Sequence, residues 1–297
     1  MKLNITIVIL TVAICALIIV SPAQAYVIPQ IGGGQQSGFP MVMLEIFFDG
    51  QSIFVFDTYA QPWSTLAWSA APVLRPLVPP AAFDPNLSRR VLIGKAYNFQ
   101  YGWDAGMLDE VTYPFPPGSA VWVKVLDQTP ELETYYRDAA YAPIFGTPDA
   151  CGIPSSNIWK WDKGMRHNTY AVADTFYGRL YANYKVYLGN AATGAELVDS
   201  GGHPLYGSAL VTFRWLRPCP YVLQGDINCD CIVDFYDYAL LADQWHNSCS
   251  SPYWGDESDI DHSTMVDSTD LGLLTDNWLV DCLQNPSAPQ CVTRPGP

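Results

Sequence analysis

Positive charge is scarce in this chain of 297 residues: 15 Lys and Arg stand against 29 Asp and Glu, a formal net charge of −14. Between residues 226 and 282 there is no Lys or Arg, against 13 acidic side chains. Nucleic-acid binding needs a basic patch to neutralise phosphates, so a nucleic-acid partner is excluded. Zinc-ligand spacing is missing as well: no CxxC pair occurs, and no His lies at zinc-finger spacing. The G-x-S-x-G motif of a serine hydrolase elbow is absent. Beyond residues 5–20 no apolar stretch is long enough to span a membrane, so the mature chain should carry no membrane span.

The apolar stretch at 5–20 has its own explanation. Lys2 precedes it, and Ala23-Gln24-Ala25 follows with the small-x-small pattern of a signal-peptidase site. The spacing predicts a signal peptide over 1–25, cleavage after Ala25 and a secreted, extracellular protein. Residues 26–297 then suit one sizeable domain and one small one. Charge divides them: residues 26–225 hold 16 acidic and 13 basic residues, so nearly all the imbalance belongs to the C-terminal part.

That part contains one acidic pattern twice. The first copy places Asp226, Asn228, Asp230, Asp234 and Asp237 at positions 1, 3, 5, 9 and 12 of a loop. The second places Asp259, Asp261, Ser263, Asp267 and Asp270 at the same positions, offset by 33 residues. Calcium is a hard cation that takes about 6–8 oxygen ligands from such a twelve-residue loop, one of them the carbonyl of position 7. Those carbonyls belong to Ile232 and Met265. Position 8 is apolar in both copies, Val233 and Val266, and can pack against its counterpart to join the two sites. Leu241 and Trp245, like Leu274 and Trp278, lie four apart, so each pair shares a face of a helix following its loop. Asp237 and Asp270 fall in the first turn of those helices, where a carboxylate suits the dipole.

The duplicated loop and helix, over residues 224–282, resembles a type I dockerin. Asp rather than Glu at position 12, one helix after each loop and two tandem copies carry the resemblance. It implies a small all-α module that binds calcium, two ions in all, and docks on a cohesin-like scaffold domain. It also implies that positions 10 and 11, Phe235-Tyr236 and Ser268-Thr269, help choose the partner; the alternative is that Phe235 and Tyr236 pack within the module. The copies differ there, which predicts inequivalent faces. Two departures bear on affinity. Position 6, normally Gly for a sharp turn, is Cys231 or Thr264, and Ser263 brings a neutral oxygen to position 5 of the second loop. Each loop still offers four carboxylates.

Cys219, Cys229, Cys231, Cys249, Cys282 and Cys291 cluster around the repeat, while Cys151 stands apart. Export predicts disulfides, which a module this small needs as staples, but six cysteines allow about 15 pairings. Residues 283–297 read as a Pro-rich tail that Cys291 can tether.

Residues 26–220 read as a mostly β domain, a β-sandwich or jelly roll. Asp49-Gly50 between two β-rich runs signals a hairpin. Pro72, Pro76, Pro79, Pro80 and Pro85 mark an irregular segment. Further strands are predicted at 91–101, 120–126, 157–161, 169–173, 180–188 and 209–215, and one short helix at 131–138.

No catalytic constellation emerges here. Glu45, Asp57, Asp104, Asp109, Glu110, Glu131, Glu133, Asp162 and Asp174 are candidate carboxylates, and glycoside hydrolysis needs two of them across a sugar; Asp109-Glu110 read as turn or surface charges, His167 and His203 as surface or loop residues. Trp63, Trp68, Trp103, Trp122, Trp159, Trp161 and Trp215 form either a sugar-binding platform or a core. Three readings follow: a scaffold-docked protein whose β domain binds polysaccharide or another surface, a scaffold-docked glycoside hydrolase, or a structural cell-surface protein. The company dockerins keep favours a role in polysaccharide breakdown.

Overall fold

A computed structural model describes residues 35–36, 39–40, 42–57, 72–76, 91–92, 94–106, 108–137, 141–248 and 258–294. The signal segment 1–25 with its cleavage point, Trp63, Trp68, Pro79, Pro80, Pro85, Cys249 and residues 295–297 lie outside them. The protein is mostly β, with two short helices among the described residues.

Two four-stranded sheets form the bulk of the N-terminal part. One runs Ile158–Lys160, Ser119–Gln128, Gly178–Asn190, Ala209–Arg217, antiparallel throughout. The other runs Arg166–His167, Tyr101–Asp104, Val42–Phe48, Ile53–Asp57; its Val42–Phe48 and Tyr101–Asp104 strands are parallel. A five-stranded sheet, Pro143–Ile144, Glu133–Tyr135, Thr169–Ala173, Lys95–Asn98, Arg75–Pro76, completes the framework.

Period-2 alternation decides which side faces in. Leu44, Ile46 and Phe48 from one sheet meet Tyr184, Phe213 and Trp215 from the other in a single buried cluster. Trp103 lies edge-on to Tyr184, ring centroids 6.0 Å apart. Such an arrangement fits a β-sandwich. Trp103, Trp159, Trp161 and Trp215 belong to this interior, and Trp122 is buried in a smaller cluster with Ala120 and Tyr187. None of those five contributes to an exposed sugar platform.

The Asp49-Gly50 hairpin forms as predicted. Phe48 pairs with Ile53, Gly50 takes φ +91°, and Asp49 Oδ1 accepts from the backbone N–H of Gln51 and Ser52. The strand over 169–173 matches its expected bounds, and the strands at 119–128, 178–190 and 209–217, in another sheet, run longer than expected. The expected 91–101 strand is two, Lys95–Asn98 and Tyr101–Asp104, in different sheets.

The helix expected at 131–138 is a correction. Glu133–Tyr135 is a strand between Pro143–Ile144 and Thr169–Ala173. Sheet pairing overrides local propensity here, and the β-loving Thr134 and Tyr135 are buried by it. His167 is a second correction: it is buried on a strand, with Nδ1 3.0 Å from the Phe99 carbonyl. His203 does sit in an exposed turn, paired with Asp199. Asp109 and Glu110 are turn and surface charges as expected; Asp109 caps the turn, and Glu110 pairs with Lys163.

The C-terminal part is built on α1 (Phe235–Asp243) and α2 (Ser268–Asp276) around their own buried cluster, with Val233, Leu241, Val266 and Leu274 at its centre. It is not wholly α. Tyr221–Val222 pairs with Val292–Thr293, so the segment read as a Pro-rich tail returns to the start of the region and closes it. Cys282–Cys291 and Cys219–Cys231 are disulfides at the two ends of that closure. Among the described residues no helix is long and apolar enough to cross a membrane.

Candidate metal centre

The two loops have one conformation. Position 4 is left-handed in both, Cys229 at φ +64° and His262 at φ +58°. Position 6 is left-handed in both, Cys231 at φ +77° and Thr264 at φ +79°. The sharp turn that Gly would normally supply is therefore made without it, at about 1–2 kcal/mol each for the added Cβ. In the first loop the residue bearing that strain is anchored by the disulfide to Cys219.

The hydrogen bonds repeat with the same offset. Asp226 accepts from the N–H of Asp230 and of Cys231, both at 3.0 Å; Asp259 accepts from Ser263 and Thr264, both at 2.9 Å. Asn228 accepts from Asp230 N–H, and Asp261 from Ser263 N–H, each at 2.9 Å. Asp237 Oδ2 accepts from Asp234 N–H, and Asp270 Oδ2 from Asp267 N–H, each at 2.9 Å. Their Oδ1 atoms reach back to Asn228 N–H and Asp261 N–H, at 3.0 and 3.1 Å. Position 12 thus ties the loop to its helix.

Position 9 has a local task. Asp234 Oδ1 accepts from Tyr236 N–H, and Asp267 Oδ1 from Thr269 N–H, each at 2.7 Å, so both residues are N-caps. With Asp237 and Asp270 at N3, each helix starts on a capping box. The side chains expected as ligands at position 9 are engaged by the helix ends; in loops of this type that position often reaches the ion through water.

The copies face each other as a pair. Ile232 bridges Asp281, beyond α2, and Met265 bridges Ser248, beyond α1. Val233 N–H donates to Val280 O, and Val266 N–H to Asn247 O. Each loop is therefore clasped by the exit of the other copy's helix. Val233 and Val266 are buried in one cluster, while their backbones pair with those exits.

The chemistry of the site is dominated by negative charge. Asp259, Asp261 and Asp270 bring carboxylate oxygens within 4.8 Å of one another. In the first loop burial, then Asp237 and Asp230, push the Asp226 carboxyl up to about 7. Burial likewise pushes Asp237 up to about 6 and raises Asp230. The donor set is all oxygen, with no cationic side chain between 226 and 282. Hard divalent cations suit such a set. Asp226, Asn228, Asp230, Asp237 and the Ile232 carbonyl would hold one; Asp259, Asp261, Ser263, Asp270 and the Met265 carbonyl a second. Ser263 Oγ donates to Met265 O at 3.3 Å, so this loop uses its neutral hydroxyl to steady the carbonyl.

Asp281 escaped the sequence reading. Its charge bears on Asp230 from beyond α2. Its counterpart at the repeat offset is Ser248, so no signal marked it.

The helices end at Asp243 and Asp276, before the tryptophans assigned to their faces. Leu241 and Leu274 are fully buried, whereas Trp245 is exposed and Trp278 half-buried against Phe235, ring centroids 5.0 Å apart and perpendicular. Phe235 and Tyr236 are 73% and 74% exposed, and Ser268 and Thr269 are also exposed. All four expected partner-facing residues lie on the surface, but only the first pair is aromatic. The chain matches no known protein-family model, no curated protein and no solved structure.

Proposed function

We propose that this is a secreted, calcium-dependent docking protein, whose C-terminal dockerin-like module binds two calcium ions and attaches the β domain to a cohesin-like scaffold. The recurrence of one loop conformation and one hydrogen-bond set at a 33-residue offset carries the reading. Two independent acidic tails would not share a left-handed residue at positions 4 and 6, a capping box and a reciprocal clasp. Calcium supplies the positive charge that draws the loop oxygens together. The chain's own residues then fix the helices, because Asp237 and Asp270 bond to loop and helix at once. Disulfides fit an exported protein. Exposed Phe235 and Tyr236, against Ser268 and Thr269 on the other copy, give the partner two unlike faces. In this reading the β domain is the cargo, brought to a polysaccharide by the scaffold.

The test is a calorimetric calcium titration of the whole secreted chain. Two ions per chain are expected, and Asp226→Ala with Asp230→Ala should remove one. Absence of saturable binding in the unaltered chain would reject the docking reading.

A further inference from the structure

The outward side of the sheet that contains the Asp49-Gly50 hairpin carries an unusual set of groups. Along Val42–Phe48, the residues Leu44, Ile46 and Phe48 face the core, which turns Glu45 and Phe47 outward. Phe47 pairs with Phe54 and Glu45 with Phe56 on the next strand; on the other side Glu45 pairs with Asp104. Residues paired in register share a face. Phe54 and Phe56 are 39% and 43% exposed, their ring planes only 20° apart and centroids 6.2 Å apart. Phe47 lies 6.2 Å from Phe54 and 6.4 Å from Phe56, and Tyr113, itself exposed, leans edge-on against Phe47 at 6.1 Å. Single exposed apolar residues are ordinary; four contiguous rings form a patch of the kind that interaction sites use.

The neighbours of the rings select the occupant. Glu45 and Asp104 sit on adjacent strands, roughly 4.8 Å apart in the backbone, at the edge of the aromatic patch. The Glu45 carboxyl packs over Gly106, where a Cβ would come within 3.5 Å of it. Burial, then Asp104, raises its pKa, a sign that the two carboxyls feel each other. An apolar protein surface would have to desolvate both of them. A sugar ring would not: its C–H face lies on flat aromatic rings, while its edge hydroxyls donate to carboxylates. Two carboxylates also repel an acidic sugar, so the chemistry favours uncharged units.

We propose that this face, formed by Phe47, Phe54, Phe56 and Tyr113 with Glu45 and Asp104 at its rim, binds a neutral polysaccharide chain. It names the ligand class of the cargo domain; only its biological setting rests on the docking reading, since no calcium-loop residue takes part.

The experiment is calorimetry of the whole chain with cellohexaose, xylohexaose and mannohexaose, with hexagalacturonate as the acidic comparison, in calcium and again in chelator. Saturable binding of at least one neutral probe, equal in both buffers, is expected. Phe54→Ala with Phe56→Ala should weaken it by about tenfold or more, and Glu45→Gln, which keeps the side chain's shape, by a smaller factor. Three outcomes overturn the proposal: no neutral probe binds, hexagalacturonate binds more tightly, or both variants bind as the natural chain does. The rings would then be a seat for protein, whether a partner or residues 58–71 of this chain. Loss of calcium binding with sugar binding intact would reject the docking reading alone.

Discussion

The Arg179 guanidinium, at the start of the longest strand, donates to the carbonyl oxygen of Ile227, the second residue of the first loop. Beside it Gly178 takes φ +124°, and a Cβ there would meet Asp230 Cβ at 3.6 Å and Asn228 O at 3.7 Å. Tyr177 packs into the core of the helical region. The β domain is therefore seated on the first acidic loop.

Arg179→Ala should weaken calcium at the first loop while sparing the second. A hydrogen bond from a charged group to a half-buried carbonyl contributes about 1.5–3 kcal/mol, so a loss of about tenfold in affinity at one of two sites is expected. Calorimetry of the variant would show two unequal classes of site; equal weakening of both would contradict a local coupling.

Thr264 takes φ +79° without a covalent anchor, unlike Cys231. Thr264→Gly relieves a left-handed β-carbon but adds chain entropy to the unfolded state. A net gain of about 0.5–1 kcal/mol is expected, seen as a higher midpoint for melting of the helices. A lower midpoint would mean that the Thr264 side chain contributes more than its strain costs.

Asp234→Ala and Asp267→Ala separate capping from ligation. If position 9 serves chiefly as N-cap, each variant should lose about 0.5–2 kcal/mol of stability and still bind two ions. Loss of one ion from either variant would make that carboxylate a ligand.

Acid should stabilise the calcium-free loop. Asp226, at about 7, and Asp237, at about 6, titrate above an unfolded carboxylate, which lies near about 3.9. Between those values the folded state holds more protons than the unfolded one, so stability is present at low pH and is lost as pH rises through 6 to 7. Calcium must displace the same protons, so its affinity for the first loop should rise over that window. Amide exchange of residues 235–243 in chelator, slower at pH 5.5 than at 7.5 after correction for intrinsic rates, would bear this out; the reverse order would refute it.

Much of the candidate centre could be read before any fold was known. A calcium loop is a local object: its ligands lie within twelve residues, and alternate positions point to one centre. The hairpin at Asp49-Gly50 was legible for the same reason, since turn chemistry is local. The 131–138 helix failed because the partners that make Glu133–Tyr135 a strand lie at 143–144 and 169–173, out of reach of any window. The tryptophans were ambiguous because alternation fixes which residues share a side but not which side is buried. His167 and Asp281 gave no signal, for each owes its position to a distant segment.

The sequence by itself determined the duplicated acidic pattern, the carboxylates of Asp237 and Asp270 in the first turn of each helix and the β-rich character of the rest, because propensity, charge and turn chemistry act over a few residues. Only the tertiary structure decided that each loop is clasped by the other copy's helix exit, that the tail returns to close the region by pairing Val292–Thr293 with Tyr221–Val222, and that Phe47, Phe54 and Phe56 gather beside Glu45 and Asp104. Those relationships depend on strand register and on packing between segments far apart in the chain, where the energy lies in contacts that no local stretch of residues contains.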